Sequence, residues 1–121
     1  MATILIIDDE ESIRHLLREV LEKAGHQVRE ASNGREGLEI YQKYPADLVI
    51  MDLLMPDTDG LETTLQLTRE YVDAKVIAIT GAQGDRNFLD VANLFGARRT
   101  FQKPFDLNKL LQAVQEELAA K

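Results

Sequence analysis

Four places in the chain end an apolar stretch with a side chain that can do chemistry. Asp8 and Asp9 follow the apolar residues of "LIIDDEE", Asp52 closes "DLVIMD", Thr80 closes "VIAIT" and Lys103 closes "TFQK". Three carboxylates gathered in a partly buried crevice repel one another, and one lysine cannot offset them. They are driven either to protonate or to bind a divalent cation. With oxygen ligands only, and no His or Cys among them, the ion indicated is Mg²⁺ or Mn²⁺. A Mg²⁺ site that keeps open positions recruits phosphate oxygens. Asp52 is then placed as a nucleophile, Lys103 as a cation for phosphoryl charge, and Thr80 as a hydroxyl donor to a phosphoryl oxygen. The reaction indicated is phosphoryl transfer onto a carboxylate.

Such a set works only if the fold brings it together. Short runs rich in Ile and Val alternate with segments of helical period, the pattern of a parallel sheet wrapped by helices. The strands are read at about Thr3 to Ile7, Gln27 to Ala31, Leu48 to Met51, Lys75 to Ile79 and Arg99 to Gln102. The first helix carries Ile13, Leu16, Leu17, Val20, Leu21 and Ala24 on one stripe and stops at Gly25. A second follows "SNG" and ends before Pro45, a third spans about Leu61 to Tyr71, and a fourth about Asp85 to Phe95. The fifth opens at Asp106, a good N-cap, and buries Leu107, Leu110, Leu111, Val114 and Leu118. Parallel strands put their C-terminal ends on one edge, where open α/β sheets bind ligands. Four of the five strands therefore deliver a polar group to one crevice.

Asp or Thr just after a strand is also ordinary helix-capping chemistry. Capping, however, needs no lysine at a fourth strand end and no second aspartate beside the first. Glu10 and Glu11 are assigned no part in the crevice, because acids favour a helix entry.

At 121 residues the chain is read as one domain, 1–121, with the composition of a soluble globular protein. A formal net charge of -7 repels the phosphate backbone, which argues against direct nucleic-acid binding. No apolar run reaches the length of a membrane span and no signal peptide is recognisable, so the expected location is cytoplasmic, away from the membrane. The absence of Cys excludes disulfides and thiol catalysis.

The segments "LIIDDEE", "EASNGREGLE", "DLVIMDLLMPDTDGLE", "VIAITG" and "FGARRTFQKPF", with their spacing, resemble the receiver domain of bacterial two-component response regulators over essentially the whole chain. The resemblance implies a flavodoxin-like fold: a doubly wound five-stranded parallel sheet of order 2-1-3-4-5 flanked by five helices. It implies that Asp52 is the phosphoacceptor and that Asp9 and Asp52 ligate Mg²⁺ directly. Asp8 would act mainly through water, and the backbone carbonyl of Leu54 would complete the protein ligands. Thr80 and Lys103 fall on the family's switch hydroxyl and lysine. The donor implied is the phosphohistidine of a sensor histidine kinase or phosphotransfer protein, and the signal would pass to a downstream protein target. The domain would promote its own phosphorylation and slow dephosphorylation rather than act as an enzyme on other substrates.

Two alternatives fit less well. An aspartyl phosphatase of the haloacid-dehalogenase type needs a second Asp two residues after the nucleophile, where Leu54 stands. A receiver-like binding module without phosphorylation has no use for the complete acid, threonine and lysine set.

The chain departs from the family at Thr100, where receivers carry an aromatic ring, and at Gly81. Phe101, one residue on, is expected on the opposite face, in the core. Leu54 and Ala82 stand where receivers place side chains that orient or block an attacking water, and neither can hydrogen-bond one, so a long-lived phosphorylated state is expected. His15 and His26 are read as surface residues, and Arg98 and Arg99 as a solvated edge. The sharp turn after Lys103 calls for a cis bond to Pro104.

Overall fold

A computed structural model of the chain describes residues 2–53, 60–80, 93 and 95–120. In chain order the elements are β1 (Thr3–Ile7), α1 (Glu11–Lys23), β2 (Gln27–Ala31), α2 (Gly34–Lys43) and β3 (Leu48–Asp52). They continue with α3 (Gly60–Glu70), β4 (Val76–Thr80), β5 (Arg99–Gln102) and α4 (Leu107–Ala119). The five strands form one parallel sheet of order β2-β1-β3-β4-β5. Four helices occur among the described residues. The one expected over 85–95 lies outside them, Asn93 and Phe95 apart. Strand limits agree with the sequence reading, except that β3 takes in Asp52 and β4 runs from Val76 to Thr80. Both shifts place a functional residue as the last member of a strand.

Strand alternation divides the apolar runs between two cores. Leu5, Ile7, Val49, Met51, Val76 and Ala78 pack with Tyr41 of α2 and with Leu61 and Leu67 of α3. Ile4, Ile6, Leu48, Ile50, Ile77 and Ile79 pack with Leu17 and Leu21 of α1 and with Leu110 and Val114 of α4. Phe101 packs against this second core, as the period of two requires. Every residue of β3 and β4 is buried, which explains why these strands read as unbroken apolar runs.

The helix ends follow their sequence signals. After α1, Gly25 adopts φ +95°, its amide donates to the Glu22 carbonyl and the His26 amide donates to that of Leu21. This pattern satisfies the last carbonyls and needs a left-handed residue. Asn33 accepts the Glu36 amide at 2.8 Å to start α2. Asp106 accepts the Asn108 amide at 2.9 Å and that of Lys109 at 3.3 Å to start α4. His15 is exposed, while His26 is half-buried and accepts the Ala2 amide through Nδ1.

Arg98 and Arg99 are not a bare solvated edge. Both grip Glu117 of α4, and Arg99 also reaches Glu116 at 2.9 Å. The partners lie some eighteen residues away in sequence, so no local pattern announces the pairing. Burial pushes the Glu117 carboxyl up, but the hydrogen bonds and charges of Arg98 and Arg99 outweigh it and hold it below the usual glutamate range. A depressed acid stabilises the fold above its unfolded pKa and loses that contribution as pH falls through the folded value. Glu117→Gln is therefore expected to lower the melting temperature by a few degrees at neutral pH, with the gap closing on acidification below about pH 4. Thermal melts across pH check this, and a gap that widens in acid contradicts it.

Candidate functional site

Asp8 follows β1 directly, and its amide still donates to the Ala31 carbonyl at 3.1 Å, so the residue is held at the sheet edge by backbone pairing. Its carboxylate is buried. One oxygen accepts the Glu10 amide at 2.8 Å, and the other lies 3.3 Å from Lys103 Nζ. Arg14 donates to the Asp8 carbonyl at 2.6 Å. Asp52 is also buried, whereas Asp9 is exposed. Each of Asp8, Asp9 and Asp52 offers a carboxylate oxygen, and the three oxygens lie within 4.8 Å of one another.

Lys103 follows β5. Its amide donates to the Thr80 carbonyl at 2.7 Å, and the Lys103–Pro104 bond is cis, as expected. Its ammonium lies 3.0 Å from Glu10, 3.3 Å from Asp8 and 3.7 Å from Asp52. The Glu10 contact corrects the sequence reading, which assigned this residue no part in the crevice; it does stand at the entry of α1. Its partner is 93 residues away, beyond any local pattern.

Burial is the largest single influence on the electrostatics of Asp8 and Lys103. Burial pushes the Asp8 carboxyl above the usual aspartate range, and the opposing Glu10 amide and Lys103 charge do not restore it. Burial also acts to pull the Lys103 ammonium down, but the Glu10 hydrogen bond and the charges of Asp52 and Asp8 outweigh it and raise it. One lysine does not neutralise this cluster, and a divalent cation among the carboxylates would.

The residues fit such an ion and an anion beside it. The ligand set is carboxylate oxygen alone, the preference of a hard divalent cation. Thr80 ends β4, one residue beyond Ile79, the sheet partner of Asp52, and is fully buried. Among the described residues its hydroxyl has no hydrogen-bond partner. A buried hydroxyl left unsatisfied costs stability, so a site that leaves one open implies an acceptor that arrives with a ligand.

Gly60 holds the start of α3 against the end of β3. A Cβ there would lie 2.4 Å from the Asp52 carbonyl oxygen and 2.5 Å from Leu53 Cα, both backbone atoms that cannot swing aside. Gly60→Ala is thus expected to cost about 1–3 kcal/mol in chemical denaturation and to slow any reaction at Asp52. Unchanged stability would show that the loop absorbs the methyl group. Thr100 is half-buried in β5, as its register with Ala78 allows. Leu54, Gly81 and Ala82 lie outside the described residues.

Comparison with known proteins agrees with this geometry. The chain is 37% identical over 118 residues to sporulation initiation phosphotransferase F of Bacillus subtilis, covering 98% of this chain and 94% of that protein. It is 37% identical over 117 residues to the chemotaxis protein CheY of Halobacterium salinarum, covering 97% of each. Among solved structures, response regulator TrrA of Thermotoga maritima in complex with Mg²⁺ and BeF superposes with a TM-score of 0.86 at 33% identity, over 97% of this chain and 99% of that one. A receiver domain from Clostridium thermocellum gives 0.90 at 32%, over 98% and 94%. The model of the response regulator receiver domain matches residues 4–115, a span that runs from β1 into α4 and takes in every crevice residue. The chain therefore belongs to the response regulator receiver domains, the phosphorylation-switched signalling domains of two-component systems.

Proposed function

We propose that residues 1–121 form a receiver that takes a phosphoryl group onto Asp52 from the phosphohistidine of a sensor histidine kinase or phosphotransfer protein. In that step an Asp52 oxygen forms a bond to phosphorus, the nitrogen–phosphorus bond breaks, and the imidazole nitrogen keeps the electron pair. Asp9, Asp52 and the Leu54 carbonyl would hold the divalent ion, Mg²⁺ or alternatively Mn²⁺, with Asp8 acting mainly through water. When bound, that ion offsets negative charge on the phosphoryl oxygens. Lys103 is close enough to Asp52, at 3.7 Å, to pass its ammonium to an arriving phosphoryl oxygen. Thr80 donates its hydroxyl to another.

The observation that carries this reading is the Thr80 hydroxyl, buried without a partner among the described residues at the end of the strand that pairs with the one ending in buried Asp52. A cation site alone has no need of it. The same chain's residues promote phosphorylation by placing these groups, and dephosphorylation is slow because neither Leu54 nor Ala82 can hydrogen-bond an attacking water. No described helix is long and apolar enough to cross a membrane, and a cytoplasmic place between kinase and protein target accords with the role.

The test is incubation with a small acyl phosphate, with and without Mg²⁺, followed by intact-mass spectrometry. One phosphoryl adduct is expected with the metal only, decaying slowly once donor is removed. Absence of an adduct under all conditions would sink the proposal.

A further inference from the structure

We propose that Glu10 is a positioning residue for the phosphoryl-transfer site: it is the nearest counter-ion of Lys103 and lets the ammonium give up Asp8 and Asp52 to a divalent cation without losing its counter-charge, until a phosphoryl group takes it over. The inference rests on the receiver reading of Asp52 and Lys103.

Glu10 occupies the N-cap of α1, yet its side chain makes no cap hydrogen bond. The carboxylate turns away from its own helix and crosses to Lys103 at 3.0 Å, the shortest of the three carboxylate contacts of Nζ. A cap bond to the first amides would ordinarily stabilise the helix, so the side chain gives up a local interaction for a distant one. Glu10 is about half exposed, and an isolated surface pair of that kind contributes little. Lys103 differs from an ordinary surface lysine, because its side chain is only 15% exposed and three carboxylates share it.

Without Glu10, the ammonium is left to Asp8 and Asp52, two of the three carboxylates of the candidate cation site. Ammonium and metal would then compete for the same oxygens as like charges near contact. With Glu10 in place, Lys103 keeps a counter-charge of its own while Asp8 and Asp52 are left for a divalent cation. A phosphoryl group on Asp52 offers Nζ a denser negative charge, and the ammonium then leaves Glu10 for it. Glu10 thus acts on the metal through Lys103 and touches neither metal nor phosphoryl group.

Calorimetric titration of the unphosphorylated protein with Mg²⁺ tests this on wild type, Glu10→Gln, Lys103→Met and the double variant. Because Glu10 makes no cap bond, Glu10→Gln breaks no hydrogen bond at the helix entry, and the loss of one acid at the helix N-terminus is common to both Lys103 backgrounds. That substitution is expected to weaken Mg²⁺ binding by about fivefold when Lys103 is present and by less than about twofold when Lys103 is Met. Equal weakening in both backgrounds would show that Glu10 acts on the ion by its charge alone and overturn the proposal. So would unchanged affinity in the single variant. Phosphoryl uptake by the wild type is scored separately: a protein that takes up phosphoryl but shows no coupling loses only the counter-ion role. One that shows coupling but no uptake loses the receiver reading.

Discussion

Asp52→Asn is expected to reduce phosphoryl uptake from an acyl phosphate to background while the protein stays folded. The amide has nearly the volume and shape of the carboxylate, so the buried position at the end of β3 remains filled. What is lost is the anionic oxygen, since an amide oxygen is a poor nucleophile toward phosphorus. Loss of one charge also relieves repulsion with Asp8 and Asp9, so the variant should melt no lower than wild type in the absence of metal. Intact-mass spectrometry after incubation with Mg²⁺ and acyl phosphate reads the first effect, and a thermal melt reads the second. An adduct that persists in the variant would move the acceptor to Asp8 or Asp9 and overturn the assignment of Asp52.

Neutralising the other two aspartates should separate metal affinity from stability. Asp9 is exposed, so Asp9→Asn removes one charge from the candidate cation site with little effect on packing, and Mg²⁺ affinity is expected to fall by at least about tenfold. Asp8 is 2% exposed, and burial is the main cause of its raised carboxyl pKa. Asp8→Asn removes the cost of holding that charge in a dry place. The amide oxygen can still accept the Glu10 amide. The metal-free Asp8→Asn variant is therefore expected to melt several degrees above wild type.

Saturating Mg²⁺ should reverse that order. A ligand at one hundred times its dissociation constant stabilises the native state by about 2.7 kcal/mol, and the variant, binding more weakly, gains less. Melts in chelator and in excess Mg²⁺ check both signs. If Asp8→Asn melts lower than wild type in chelator, Lys103 neutralises the cluster more fully than its distances suggest. If the order does not reverse with Mg²⁺, Asp8 is not part of the cation site.

Much of the molecule was legible because its signals are local. The apolar runs at Leu48–Met51 and Val76–Ile79, the period of α1, Gly25 and the Asp106 cap each act within a few residues, and the elements formed there, although of the α1 stripe only Leu17 and Leu21 are buried while Leu16 and Ala24 are exposed. The convergence of Asp8, Asp9, Asp52 and Lys103 was also readable, since a parallel sheet leaves its strand ends no other common place.

By itself, then, the sequence determined the alternation of elements, the two-faced core and the set of groups at one sheet edge, all consequences of periodicity and strand direction. Only the tertiary structure decided which charges pair. Glu10 turns from its own helix to Lys103, and Glu117 draws in Arg98 and Arg99. It also decided that Asp8 and Asp52 are buried while Asp9 is exposed, and that Thr80 is left without a partner among the described residues. The physical reason is range. Hydrophobic period and capping act over one turn or one strand, whereas the strength of a charge or hydroxyl depends on burial and on partners that chain folding brings from far along the sequence.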